Sequence, residues 1–183
     1  MEKFLLNKND TALLIIDIQE RLATVMKQRE PVVKNCIHLV ELAKMLHVPI
    51  VVTEQYPKGI GHTVEEIKHA LPAYQPVEKL TFSCCDEPSF LPTIKSLNKK
   101  TLILTGMETH ICILQTCIGL LQSGFNVHIV KDAVCSRTKE NWKTACEYMR
   151  DAGAVITCTE TVLFQLLKTA GTEEFRTISK RIK

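Results

Sequence analysis

KTLILTGMETHICILQTCIGLLQS, Lys100–Ser123, is the stretch that decides the fold. Its first part, KTLILTG, is a continuous apolar run of β-forming residues, the pattern of a strand buried on both faces. Its last part, from Ile111 to Ser123, carries no charge over a full helix length and reads as a helix covered on most sides. Only a short turn, GMETH, separates the two. A buried strand running straight into a covered helix is a building block of a parallel sheet.

The same alternation repeats on both sides. TALLIID (Thr11–Asp17) and VPIVVTE (Val48–Glu54) read as two further buried strands, with a helix over Pro31–His47 between them. Pro31 suits the first turn of that helix, and Val33, Ile37, Val40 and Leu42 to Leu46 mark its buried side. Loop material with Gly59 and Gly61 follows, then a short helix near Thr63–Ala70. PVEKL reads as a short strand and EPSFLPTIKSLN as a helix. NVHIVKDA and AVITCTE are strands on either side of the helix KENWKTACEYMRDAG, which Gly153 closes. TETVLFQLLK is a final helix. Six strands alternate with helices, which predicts an α/β fold: a three-layer αβα sandwich around a mainly parallel six-stranded sheet.

The 183 residues suit a single domain over 1–183. A net charge of +3 and scattered basic residues give no footprint for nucleic acid or an anionic membrane. No apolar run reaches the roughly 18 residues that span a bilayer. MEKFLLNKND has neither the apolar core of a signal peptide nor the arginines of a transit peptide. The eight cysteines are therefore expected to be reduced, in a cytoplasmic (cytosolic) or organellar setting. No C-x-x-C pair suggests a zinc or thioredoxin-like site.

Ligands of parallel sheets sit beyond the carboxyl ends of the strands. Three reactive residues lie there: Asp17 ends the first strand, Lys79 lies on PVEKL, and Cys112 opens the helix after TLILTG. The helix start and a nearby ammonium are expected to lower the Cys112 thiol from its usual pKa of about 8.5. Asp17 can take the thiol proton, and backbone N–H groups at the helix start can receive an oxyanion. Taken singly, each has a plainer reading: a strand-end cap, a solvated lysine, a core thiol.

Around these residues the sequence resembles the isochorismatase-like cysteine hydrolases. LLIIDIQERL, VEKLTFSCC and LTGMETHICILQTC carry the resemblance, which covers nearly the whole chain. It implies Asp17 as base, Lys79 as electrostatic partner and Cys112 as nucleophile. It further implies a cis peptide at Met107–Glu108, presenting the N–H groups of Glu108 and Cys112 to the oxyanion. It implies no cofactor, and a homo-oligomer, at least a dimer. Gln19, Glu54, Gln55, Tyr56, Phe82 and His110 adjoin these segments and are candidates to line a small-molecule site. Tyr56 and Phe82 would form an apolar wall for a small planar amide.

Nicotinamidases of this superfamily hold a metal on an Asp-x-His and a further His. Here the stretch is EQYPKGIGH, with Glu54 and His62 present and Tyr56 at the first His position. Two ligands make a poor transition-metal site, so no metal is expected. Enzymes that hydrolyse isochorismate itself generally lack the cysteine, which points Cys112 toward amide cleavage. The remaining readings are a nicotinamidase-like amidase, a non-catalytic oligomeric scaffold, and a thiol redox sensor using Cys84 and Cys85. Some small members of the family carry a ribonuclease label, for which the charge pattern here gives no support.

Overall fold

The computed structural model describes residues 2–183. Its sheet is built from β1 (Thr11–Ile16), β2 (Ile50–Gln55), β3 (Val77–Lys79), β4 (Thr101–Met107), β5 (Asn126–Cys135) and β6 (Val155–Thr157). The spatial order is β3-β2-β1-β4-β5-β6, and every pairing between these strands is parallel. The chain builds outward from β1 to β3, then returns to β4 on the other side of β1. The carboxyl ends of β1 and β4 therefore flank the point where the strand order reverses, the expected place for a site in such sheets.

The helices are α1 (Glu20–Thr24), α2 (Arg29–Met45), α3 (Pro57–Ile60), α4 (Glu65–Ala70), α5 (Phe90–Ser96), α6 (Leu114–Gln122), α7 (Lys139–Asp151), α8 (Thr159–Leu167) and α9 (Glu173–Arg181). One core unites Leu13, Ile15 and Ile103 with α2, α4, α8 and α9. The other unites Leu14, Ile16, Leu102 and Leu104 with α5, α6 and α7. Alternate residues of β1 thus feed opposite cores, and all six are buried, because a central parallel strand is covered on both faces. This is the three-layer αβα sandwich expected from the sequence.

The differences lie at the periphery. Residues 57–60, read as loop, form the short helix α3, which opens on Pro57. Beyond α8, which the sequence marks as the final helix, the chain forms the further helix α9. Its residues are largely polar, and only Ile178 is fully covered. On α2, Cys36 and Leu39 are buried, while Ile37, Met45 and Leu46 pack at its edge. Between β4 and α6 the chain makes a π-helical turn over Thr109–Ile113, so Cys112 sits in that turn, just ahead of α6.

Gly106 explains why β4 and β1 can run so close at their carboxyl ends. Its φ is +130°, and a Cβ there would lie 1.9 Å from the Ile16 carbonyl oxygen. Only glycine meets both conditions. Among the described residues, no helix is long and apolar enough to cross a membrane.

Candidate active site

Three strand ends bring Asp17, Lys79 and Cys112 together. Asp17 follows β1 at φ +54°, a left-handed conformation that Asp tolerates better than most residues. Its Oδ1 accepts a hydrogen bond from Thr53 Oγ1 at 2.7 Å, and its Oδ2 accepts one from Lys79 Nζ at 2.7 Å. Both side chains of the Asp17–Lys79 pair are wholly buried.

Lys79 Nζ donates further to Gln55 Oε1 at 2.8 Å and approaches the Thr81 and Phe82 carbonyls at 3.2 and 3.3 Å. Burial pulls its ammonium pKa down. The charge of Asp17, with the charges Cys84 and Cys112 carry when ionised, outweighs burial, and the net shift is upward. Lys79 stays protonated at neutral pH.

Cys112 is buried in the turn, with 5% of its surface exposed. The sequence predicts a lowered thiol; the structure raises it. Burial is the largest cause, the charge of Asp17 the next, and Lys79 opposes them without prevailing. Burial sets the direction, and the 2.7 Å contact of Lys79 with Asp17 offsets much of the positive field that would otherwise oppose it. A neutral thiol beside a carboxylate is chemically inert until that carboxylate takes its proton.

The turn itself is held from below. The Met107–Glu108 peptide is cis. The Glu108 carbonyl accepts from the N–H groups of Ile111 and Ile113. Its carboxylate is held by Arg137, receiving the backbone N–H at 3.1 Å and Nε at 3.2 Å.

The six residues expected to line the site separate into three groups. Gln19 and Glu54 are fully buried struts. Gln19 joins the Gln55 backbone to the Gly61 carbonyl. Glu54 accepts from Thr63 N and Oγ1, lies 3.0 Å from His62 Nδ1, and is closed off by the Tyr74 hydroxyl. The position that resembled a metal ligand is thus saturated by protein donors. Gln55 and His110 are engaged as well. Gln55 grips Lys79 and the Leu80 carbonyl, while His110 faces the segment after β5 and α7 through Ser136 Oγ at 2.9 Å and Asn141 Nδ2 at 3.3 Å. Tyr56 and Phe82 remain about half exposed and meet Lys79 through their backbones: the Tyr56 N–H donates to the Lys79 carbonyl, and the Phe82 carbonyl lies 3.3 Å from Lys79 Nζ.

Two members of the cluster went unnoticed in the sequence. Thr53 fixes Asp17, and Cys84 lies under it, with Sγ 3.9 Å from Thr53 Oγ1 and its own N–H on Thr116 Oγ1. Thr53 was readable as a polar residue just before the strand-end Glu54. Cys84 carries no signal in the sequence beyond its adjacency to Cys85. Burial and the charge of Asp17 push the Cys84 thiol up to about 12. Cys117 is a core thiol near Cys85.

The comparisons agree with this architecture. The model of the isochorismatase domain matches residues 11–161. A secreted isochorismatase effector of Phytophthora sojae (strain P6497) is 40% identical over 179 residues, 96% of this chain and 85% of the relative. The structure of the MAR1 ribonuclease of Caenorhabditis elegans superposes with a TM-score of 0.90 at 37% identity, covering 97% of this chain and 92% of that one. The YcaC gene product of Escherichia coli, described as an octameric hydrolase of unknown specificity, gives a TM-score of 0.91 at 25% identity, covering 97% and 90%. With its six-stranded parallel sheet and this extent of similarity, the chain carries the hydrolase fold of these relatives and belongs to the isochorismatase family.

Proposed function

We propose that the protein is a cysteine hydrolase that cleaves the C–N bond of a small amide without metal or cofactor. The observation that carries this reading is the buried Asp17–Lys79 pair set against the raised thiol of Cys112. The thiol needs a base at the moment of attack, and Asp17 is the carboxylate beside it.

In this scheme the Cys112 sulfur attacks the amide carbonyl as Asp17 takes the thiol proton. The N–H groups of Glu108 and Cys112 receive the oxyanion. Asp17 then passes the proton to the departing nitrogen, and the C–N bond breaks to leave a Cys112 thioester. Water attacks the thioester with Asp17 again accepting a proton. The C–S bond breaks, the acid leaves, and Asp17 returns the proton to Cys112. Lys79 keeps Asp17 ionised and aimed throughout. Tyr56 and Phe82 offer apolar surface to the substrate at the mouth.

The active form is a homo-oligomer in this reading, supported by the octameric YcaC relative. A mass in sedimentation that stays monomeric at every concentration would remove this part. All eight cysteines are free, which suits a reducing compartment such as the cytoplasm.

The experiment is a screen of small amides, nicotinamide included, and ureas for ammonia release, with Cys112→Ala as control and a single-stranded RNA substrate in parallel. Release by the native protein and none by the variant supports the proposal. Cleavage of RNA with no release from any amide would favour the activity named for the nematode relative instead.

A further inference from the structure

A cavity of about 520 Å³ lies between the start of α2 and the segment joining β5 to α7. Asp17, Lys79 and Cys112 do not line it. It sits one strand further along the sheet, beyond the contact between Arg137 and Glu108. Its size falls in the range of small-molecule sites, about 300–1,000 Å³.

Its charge is one-sided. Lys27, Lys131, Arg137 and Lys139 border it, against a single carboxylate, Asp132. That carboxylate offsets one of the cations and is anchored by neutral donors. Its Oδ1 accepts from Thr159 N at 2.7 Å and Thr159 Oγ1 at 2.9 Å, tying it to the start of α8. Arg137 is paired with Glu108, which leaves Lys27, Lys131 and Lys139 against Asp132, a net positive field that an anion would relieve. The start of α7, a helix of 13 residues, adds its positive end to the same side.

Pro31, Val32, Val134 and the Trp142 ring supply apolar surface to the wall, beside the polar Gln28, Asn35, Ser136 and Thr138. The indole is fixed in place: its Nε1 donates to the Lys131 carbonyl at 3.2 Å, and Lys131 Nζ stands 4.9 Å from the ring centroid. An aromatic face with a cation over it suits a compact ligand that has both an apolar body and a negative group. A nucleic acid would call for an extended basic track with several stacking rings, and this cavity has one aromatic side chain.

We propose that this cavity is a second ligand site, separate from the Cys112 site, for a small organic anion with an apolar body. Its back wall is coupled to the catalytic turn, because Arg137 both borders the cavity and holds Glu108.

Trp142 is the chain's only tryptophan, so its fluorescence reports on this cavity alone. The probe is hexyl phosphate, compared with inorganic phosphate and with hexanol. The site predicts a saturable change in Trp142 emission with hexyl phosphate. Either control should bind about tenfold or more weakly, since each offers half of the recognition. Replacing the exposed Lys27→Glu and Lys139→Glu together should weaken hexyl phosphate by about tenfold or more. If that double variant folds poorly, the native protein in high salt gives the same reading through screening. The Cys112→Ala variant should bind hexyl phosphate unchanged, so the result does not depend on the proposed hydrolysis. The proposal is overturned by no saturable response, by hexanol or inorganic phosphate binding as well as hexyl phosphate, or by indifference to both charge reversal and salt.

Discussion

Lys79 Nζ stands 2.7 Å from Asp17 Oδ2, and neither side chain has any solvent exposure. Such a pair is held by mutual dependence: removing one partner leaves the other as an uncompensated buried charge, at about 3–5 kcal/mol. Asp17→Asn is therefore expected to lower stability in urea unfolding by about that amount as well as to abolish hydrolysis. Combining Asp17→Asn with Lys79→Met should recover part of the stability and none of the activity. A stable, inactive Asp17→Asn single variant would show that the pair contributes little to folding.

Gly106 makes a prediction about the fold rather than the chemistry. Gly106→Ala places a methyl group against the Ile16 carbonyl, where backbone cannot give way, at a φ that L-residues avoid. The variant should fail to accumulate as folded protein. Gly124→Ala is the matched control: it has a φ of +85° and nothing within 4 Å of the added carbon. It should cost only about 1 kcal/mol, the conformational part alone. Equal thermal stability of the two variants would remove the close approach of β1 and β4 as the explanation.

Glu54 links stability to pH. Burial raises its carboxyl pKa, but hydrogen bonds from Tyr74, Thr63 and His62 lower it further, and the net direction is below the ordinary 4.5. A depressed carboxyl contributes stability that is present above its unfolded value and is lost as pH falls through the folded one. The native protein should thus lose stability more steeply than Glu54→Gln as pH drops below about 4.5. The gap between the two in denaturant midpoint should be widest near neutrality. Parallel pH profiles would mean that Glu54 does not carry this linkage.

The sheet was legible because its strands are unbroken apolar runs such as Leu13–Ile16 and Leu102–Leu104, and such runs fit few other environments. The helix α9 is harder to read, because its stripe of Phe175, Ile178 and Ile182 is short and set among charged residues. Asp17, Lys79 and Cys112 were found by their places at strand ends, which topology converts into nearness. The state of Cys112 was hidden for a different reason. It depends first on how deeply the turn is buried and then on the balance of Asp17 and Lys79, and both are set by packing between segments more than thirty residues apart. Gln19 and Glu54 show the limit of adjacency in sequence. Both neighbour the site along the chain, yet both are turned into the scaffold: Glu54 because alternate side chains of β2 point to opposite faces, and Gln19, beyond the end of β1, because it bridges Gln55 and Gly61.

The central claim is covalent catalysis by Cys112, and the mass of the enzyme during turnover tests it most directly. With an amide found by ammonia release, rapid acid quenching should yield protein heavier by the acyl group, with the added mass on the peptide that contains Cys112. The Cys112→Ala variant should show neither the adduct nor ammonia release, with a rate at least about a thousandfold lower. Ammonia release at an undiminished rate from Cys112→Ala, or an acyl group found only on another residue, would contradict the account.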